Sequence, residues 1–152
     1  MSIEERLKAA GITLPAAPAP VANYVPCVEA GGLLFVSGQV AAGPDGIIKG
    51  KLGDDLDAEA GAAAARACGL SLLAQAQKAL GSLDRVAQVV KLTGFVNSTP
   101  DFTDQPKVIN GASDLMVEVF GDAGRHARAA VSAPSLPLGA AVEVDAIFAI
   151  RD

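Results

Sequence analysis

Residues 124–150 read GRHARAAVSAPSLPLGAAVEVDAIFAI, which is two apolar runs separated by a segment that contains Pro134 and Pro137. Short apolar runs bounded by proline and glycine are typical of strands. Each run nevertheless contains ionisable residues, Arg128 in the first run and Glu143 and Asp145 in the second. The stretch therefore predicts two strands at the end of the chain, in which a guanidinium and two carboxylates lie among residues suited to burial.

The two-residue period of a strand decides which of these side chains share a face. Arg128, Ala130 and Ser132 lie on one face of the first strand, and Glu143 and Asp145 lie on one face of the second. If the proline segment reverses the chain, the strands pair antiparallel, with Arg128 near Asp145 and Ala130 near Glu143. One interpretation is a surface ion pair worth at most about 1 kcal/mol. The other is a pocket floor, where the guanidinium binds a carboxylate through two hydrogen bonds and a carboxylate activates water.

The N-terminal region predicts a short helix followed by an extended connector. Ser2 and Glu5 form a capping box, and the helix is expected to stop near Gly11. The segment LPAAPAP then forms a connector that reaches about residue 20. Because this connector is too short to separate two domains, residues 1–152 are expected to form a single domain.

Two segments with apolar residues at helical spacing predict long helices, at about residues 58–80 and 104–120. In the first helix, Ser71, Gln75 and Lys78 share the side that is expected to face water. The second helix has a proline in its first turn and a glycine at its end, which are the usual residues at these positions.

Strand patterns occupy the segments before, between and after these helices. Two β-rich runs flank the diglycine at 31–32 and predict a hairpin, whose first run is limited to an edge or a bulge by Pro26. The segment RVAQVVKLTGFVN, residues 85–97, predicts a further strand. After the N-terminal helix the order is therefore ββαβαββ, an α+β arrangement in which two long helices cover one face of a sheet.

The final strand has a consequence for assembly. Residues 146–150, AIFAI, are apolar at every position, so both faces of this strand should be dry. The two long helices cover only one of these faces. We therefore expect a homo-oligomer in which the uncovered sheets pack together.

Composition excludes several classes of function. Hydrophobic residues make up 51% of the chain and charged residues 19%, which indicates a globular and rather apolar protein. The net charge of −5 and the absence of a basic cluster disfavour nucleic acid as a partner. The start MSIEERLKAAG is not typical of a signal peptide, and no apolar stretch approaches membrane-spanning length.

Cysteine and histidine are too sparse to predict a metal site. Cys27 and Cys68 have no metal-ligand spacing and are too few for a disulfide framework, so both are expected to be reduced, buried thiols of a cytoplasmic protein. His126 is the only histidine, and a structural or solvent-facing role is expected because the sequence positions no partner for it.

Several segments resemble the RidA/YjgF family, also called the liver perchloric-acid-soluble protein (L-PSP) family. They are NYVP, GGLLFVSGQVA, GSLDRVAQVVKLTGFV, ARAAV and LPLGAAVEVDAI, which follow the family's order and spacing over about residues 22–150. The resemblance implies a chorismate-mutase-like α/β fold, with a mixed sheet covered by two long helices on one face. It also implies a homotrimer with helices outside, sheets inside and a pocket at each subunit interface.

The resemblance also implies which residues form the site. The family's arginine, which binds the substrate carboxylate, corresponds to Arg128, and its water-holding glutamate corresponds to Glu143 and not to Asp145. The substrate-binding positions are expected at the pocket tyrosine, the Ser-Gly pair of VSGQ, the helix asparagine, the arginine and the second residue after it: Tyr24, Ser37, Gly38, Asn110, Arg128 and Ala130.

Three departures place the chain in a divergent subgroup of the family it resembles. Members with deaminase activity usually have cysteine where this chain has Ala130, and they read PYSQ where this chain reads NYVP. The N-terminal helix is an addition. The retained arginine and glutamate keep the implied chemistry, whereas the identity of the substrate is open.

Two functions follow from the resemblance. The first is a cofactor-free hydrolase of the 2-iminobutanoate/2-iminopropanoate deaminase type, which converts reactive 2-aminoacrylate-type enamines and imines to 2-keto acids and ammonia. The alternative is a regulatory trimer that binds a small carboxylate such as a keto acid without turnover. A ribonuclease or translation inhibitor, the third activity associated with relatives, is disfavoured by the acidic charge balance.

Overall fold

The computed structural model describes residues 1–20 and 22–152, and it has the predicted order of helices and strands with one small hairpin added. The elements are α1 (Ile3–Ala9), β1 (Cys27–Ala30), β2 (Leu33–Val40), β3 (Ala42–Gly43), β4 (Gly46–Ile47), α2 (Ala58–Leu80), β5 (Val86–Asn97), α3 (Gln105–Phe120), β6 (Ala127–Ala133) and β7 (Val142–Ile150). The added hairpin is formed by β3 and β4.

Five strands form a mixed sheet in the order β1-β2-β7-β5-β6. β7 lies between β2 and β5 and is antiparallel to both, whereas β6 is parallel to β5, with Arg128 opposite Leu92. The predicted antiparallel pairing of the last two strands, which would have brought Arg128 near Asp145, is therefore wrong. The reason is that α3 connects β5 to β6, and a helical crossover returns the next strand parallel to the first.

The hydrophobic core lies between the sheet and the two long helices, which pack on the same face. Leu92 on β5 and Val144 and Phe148 on β7 are completely buried on this face. The helices approach each other closely at Gly111, where a Cβ atom would overlap the carbonyl group of Ala62. The predicted α+β class and the helical layer on one face are confirmed.

Local signals account for where the helices begin and end. The capping box is confirmed, since Glu5 N donates to Ser2 Oγ at 3.1 Å and Ser2 N donates to Glu5 Oε2 at 2.9 Å. α2 has both of its predicted ends; its N-terminal cap is Asp57, and Gly81 follows it with φ of 85°. α3 begins one residue later than predicted.

One side of α2 differs from the prediction. Lys78 is exposed as expected, but Ser71 and Gln75 are only 3% and 2% exposed. The N-terminal connector covers this side of the helix, because the amide of Gln75 donates to the carbonyl of Pro18 at 2.7 Å. Helical periodicity could not predict this burial, since the cover comes from residues 57 positions away.

The face of the sheet opposite the helices has no cover within residues 1–20 and 22–152. Val28, Phe35 and Val131 lie on this face and are 50%, 41% and 45% exposed. β1 is an edge strand, as Pro26 predicted. In the described part of the chain no helix combines the length and apolarity needed to cross a membrane.

Candidate functional site

The residues singled out from the sequence form two groups, which lie on opposite faces of the sheet. Arg128 is level with the buried Leu92 and points to the helical face, where it meets Asn110. Glu143 alternates with the buried Val142 and Val144, so it points to the uncovered face. We call the two groups the Arg128 cluster (Asn110, Ser113, His126 and Arg128) and the Glu143 pocket (the cavity lined by Tyr24, Gly38 and Glu143).

In the Arg128 cluster, α3 orients the guanidinium through two side chains. Nη1 of Arg128 donates to Asn110 Oδ1 at 2.7 Å and to Ser113 Oγ at 3.2 Å. Asn110 and Ser113 are three residues apart and therefore share one face of the helix. Asparagine is unfavourable in the middle of a helix. The hydrogen bond with Arg128 explains why Asn110 occupies this position. Ala130 is half-buried beside the cluster and packs against the core.

A histidine completes the cluster, and this role was not predicted. His126 Nδ1 lies 2.6 Å from the carbonyl oxygen of Gly124, and Nε2 lies 2.8 Å from Ser113 Oγ. A carbonyl oxygen only accepts, so Nδ1 carries a proton, and in the tautomer with its single proton on Nδ1 the nitrogen Nε2 accepts from the serine hydroxyl. The serine oxygen is then free to accept from Arg128. Ser113 was missed by the sequence analysis, although its spacing from Asn110 was a usable signal.

The Glu143 pocket lies at the edge of β2, beyond the point where pairing with β1 ends. It has a volume of about 520 Å³, and its lining includes Tyr24, Gly38 and Glu143. Three residues predicted for the site from distant parts of the sequence are therefore brought together here. Ser37 is adjacent, and its Oγ donates to the carbonyl of Val25 at 3.0 Å.

A bulge in β2 forms one wall of the pocket. The register shifts between Val36 and Gln39, so that Ser37 and Gly38 together oppose one residue of β7. Glycine at position 38 leaves room for the carboxylate of Glu143, because a Cβ atom there would lie 3.0 Å from Glu143 Cδ and would overlap Oε2. The absence of a side chain at Gly38 thus allows the carboxylate to lie directly against the backbone.

The electrostatic environment of Glu143 raises the pKa of its carboxyl group. Burial raises the pKa of Glu143, and the neighbouring Asp145 raises it further. Burial also raises the pKa of Asp145, although a hydrogen bond from Thr93 and the charge of Lys91 oppose that rise. None of the side-chain hydrogen bonds found within residues 1–20 and 22–152 uses the Glu143 carboxylate, so both of its oxygens can bind a ligand or water.

Neither cysteine contributes a reactive thiol to these groups. Cys68 is completely buried as predicted, and its pKa is raised by burial and by the charge of Glu143. Cys27 is only half-buried, which differs from the prediction, because it lies on the edge strand β1. Among the residues that the structure describes, no three His, Cys, Asp or Glu side chains are grouped so that they could hold a metal ion.

Within one chain, the structure contradicts both predictions for the charged residues of the last strands, the surface ion pair and the pocket floor shared by Arg128 and a carboxylate. β5 separates β6 from β7, and the side chains of Arg128 and Glu143 leave opposite faces of the sheet. Within the described residues Arg128 forms no ion pair with Glu143 or Asp145. Within one chain, a small molecule cannot contact the guanidinium and the Glu143 carboxylate at once.

A mixed five-stranded sheet with two long helices on one face, and with ionisable residues in its last strands, defines the class of YjgF/chorismate-mutase-like proteins. The family model described as "YjgF/chorismate_mutase-like, putative endoribonuclease" matches residues 4–150. The chain belongs to this family, also known as YjgF/L-PSP.

Individual relatives show how similar the chain is to different members. The Trypanosoma cruzi protein TCP17 is 53% identical over 99% of this chain and 95% of its own length. A protein of unknown function from Agrobacterium tumefaciens is 49% identical and superposes with a TM-score of 0.91, covering 98% of this chain and 92% of its own. RidA from an Antarctic Psychrobacter is 27% identical, with a TM-score of 0.59 and coverage of 88% and 94%. The chain is thus closer in shape to the first of these structures than to RidA.

Proposed function

We propose that the protein is a cofactor-free deaminase that hydrolyses 2-aminoacrylate-type enamines and imines to 2-keto acids and ammonia. The observation that carries the proposal is the division of the site into two incomplete halves. The Arg128 cluster contains a cation to bind the substrate but no carboxylate to activate water. The Glu143 pocket contains a carboxylate whose pKa is raised, but among the residues that the structure describes it contains no cation. Each half supplies what the other lacks.

The two halves would be combined by assembly of several copies. The uncovered face of the sheet carries Val28, Phe35 and Val131, which are exposed in the single chain. Burying this apolar surface would stabilise an oligomer. In the proposed homotrimer, the Arg128 cluster of one copy faces the Glu143 pocket of the next, so that each interface holds one complete site.

Arg128 would bind the carboxylate of the substrate. Asn110 and Ser113 hold Nη1, and the hydrogen bonds of Arg128 found in the described part of the chain use only this nitrogen. Nε and Nη2 therefore remain available, and these two parallel donors match the two oxygens of a carboxylate. Ser113 and His126 are positioning residues, because they act through Arg128.

Glu143 would position water against the imine carbon. The water oxygen forms a bond to this carbon while the C=N double bond opens to a single bond, and Glu143 accepts a proton from the water and passes it to the nitrogen. Glu143 then relays the remaining hydroxyl proton to the amine nitrogen, so that the C–N bond breaks, ammonia leaves and the C=O bond of the 2-keto acid forms. A raised pKa suits a group that must both accept and donate a proton. No strong nucleophile is required, because orientation of the reactants supplies much of the rate enhancement.

A second candidate is a trimer that binds a small carboxylate without turnover. It is favoured by Ala130, which stands where deaminases of the family usually have cysteine. A nuclease function is disfavoured, since a net charge of −5 provides little attraction for RNA. An RNA gel shift at physiological salt is expected to show no complex at low micromolar protein.

The test couples a serine or threonine dehydratase, which releases the imine, to trapping by semicarbazide. A deaminase lowers the yield of semicarbazone by competing for the imine. Arg128→Lys should reduce activity at least tenfold, because losing a charge-assisted hydrogen bond costs about 1.5–3 kcal/mol. The matched control is Arg66→Lys, which alters an exposed ion pair with Glu118 and should have no effect.

Glu143→Gln separates the two candidates. The amide keeps the shape of the side chain but cannot accept a proton, so a deaminase should lose turnover and still bind pyruvate. If the parent protein binds pyruvate but does not lower the semicarbazone yield, hydrolysis is refuted and the binding trimer is supported.

A further inference from the structure

The Glu143 pocket is larger than the smallest substrate of the proposed reaction, which is a three-carbon imino acid. Its volume is about 520 Å³. A water molecule takes up about 30 Å³ in the liquid and a three-carbon imino acid has six non-hydrogen atoms, so the acid occupies at most on the order of 180 Å³. A carboxylate bound by Arg128 and a carbon positioned by Glu143 would leave most of this space for another part of the ligand.

The additional space is apolar in character. Its walls come from the connector, the β3–β4 hairpin and the turn before β7, through residues that include Pro20, Ala42, Ile47 and Leu138. The free energy of binding becomes more favourable when an apolar group of the ligand displaces water from such a surface. A pocket of this size with few polar groups is typical of small-molecule sites.

Two glutamines also line the pocket, and hydrogen bonds use both polar atoms of Gln39 and the amide nitrogen of Gln75. Gln75 Nε2 donates to the carbonyl of Pro18 at 2.7 Å and lies 3.3 Å from Gln39 Oε1. Gln39 Nε2 donates to the carbonyl of Ser37 at 3.0 Å. Across residues 1–20 and 22–152, no buried side-chain nitrogen or oxygen lacks a partner. Gln39 therefore does not require a polar group on the ligand, and no fully buried side-chain atom in the described residues does so either.

The same hydrogen bonds fix one wall of the pocket. Residues 18–20 line the cavity together with Tyr24, and Gln75 holds them against α2. The other end of the N-terminal segment is anchored by Ile3 N, which donates to Asp84 Oδ1 at 2.7 Å, and by Glu4, which accepts from Leu83 N at 3.2 Å. The N-terminal segment is thus held at α1 and at Pro18, and residues 18–20 form one wall of the cavity.

We propose that the Glu143 pocket binds the side chain of a larger apolar substrate, an imine of the branched-chain or aromatic type, and that the connector held by Gln75 sets the size limit. The inference rests on the proposed function for the position of the reacting carbon. The preferred product is then a 2-keto acid with an apolar side chain rather than pyruvate.

The affinity of the purified full-length protein for pyruvate, 2-oxobutanoate, 4-methyl-2-oxopentanoate and phenylpyruvate, measured by calorimetry, tests the inference without requiring turnover. Each methylene that becomes buried should improve the affinity roughly fourfold. The affinity for 4-methyl-2-oxopentanoate should therefore exceed that for pyruvate at least tenfold. Equal or weaker binding of the larger acids, or no binding of any acid in the series, overturns the inference.

Two variants locate the effect in this pocket. Ala42→Phe fills the cavity and should bring the ratio of the two affinities close to one. Leu138→Ser removes apolar lining from a side chain that is 64% exposed, so it should weaken binding of the larger acid severalfold without loss of folding. The matched control is Ala63→Phe on the exposed side of α2, which should leave the ratio unchanged. If Ala42→Phe and Leu138→Ser leave the ratio unchanged, as the control does, the preference arises elsewhere in the protein and the inference is overturned.

Turnover is measured separately, with imines produced from alanine, leucine and phenylalanine by an amino-acid oxidase and trapped by semicarbazide. Preference among keto acids without turnover of any imine refutes the proposed hydrolysis and supports the inference. Turnover that is fastest for the three-carbon imine supports the proposed hydrolysis and overturns the inference of a larger apolar substrate.

Discussion

Adding one methyl group at Gly38 should displace the Glu143 carboxylate while leaving the fold intact. In Gly38→Ala the new Cβ atom would lie 3.0 Å from Cδ and 3.3 Å from Cγ of Glu143, and it would overlap Oε2. Ordinary contacts of such atoms begin at 3.4 Å. The carboxylate is the end of a flexible side chain, so it can move away at little cost.

The size of the effect follows from this overlap. Relieving it requires the carboxylate to move by on the order of 1 Å, and a misplacement of this size can cost about 100-fold in rate. The backbone of Gly38 is not left-handed, so alanine is tolerated there and also reduces the entropy of the unfolded chain. The Tm is therefore expected to change by no more than about 4 °C.

The assay is semicarbazide competition for turnover, combined with thermal melting. Gly43→Ala is the matched control, because its Cβ would lie 3.9 Å from Ile48 Cδ1, which is ordinary contact. It should match the parent in both measurements. If Gly38→Ala hydrolyses imines as fast as the parent while Glu143→Gln is inactive, the reasoning about the position of the carboxylate is refuted.

Three further predictions concern the cluster, the carboxyl group and the assembly. Ser113→Ala should weaken pyruvate binding at least severalfold, because it removes a charge-assisted hydrogen bond from Arg128 and such a bond contributes about 1.5–3 kcal/mol, and Ser113→Thr should restore it; unchanged affinity would show that Ser113 does not position Arg128. The pKa of Glu143 is raised in the folded state, so folding loses stability as the pH rises above the pKa of the unfolded carboxyl. Glu143→Gln should thus have a higher Tm than the parent near pH 7, with the difference disappearing near pH 4, and a constant difference would contradict this sign. Sedimentation should show a trimer at micromolar concentration, and Phe35→Asp, which places a charge on the uncovered face, should shift it towards monomer; a monomeric parent would exclude the shared site.

Local chemistry made the helices predictable. The capping box of Ser2 and Glu5 and the N-cap at Asp57 act over three residues, so their effects can be read from neighbouring positions. The alternation of a strand likewise placed Glu143 and Asp145 on one face before the sheet was known. The family resemblance then directed attention to Tyr24, whose proximity to Glu143 is not a local property.

Strand pairing and burial depended on contacts between distant parts of the chain. Arg128 is level with Leu92 on β5, which pairs with Ala146 on β7, and Glu143 is an odd number of residues from Ala146, so Arg128 and Glu143 leave opposite faces of the sheet. Gln75 is buried because the connector covers it, and His126 acquires a partner because α3 brings Ser113 to it. The sequence alone indicated the candidate residues of the site and determined which short segments form helices and strands. Only the tertiary structure decided which of those residues meet, because non-local packing selects the neighbours of each strand and the cover of each helix face.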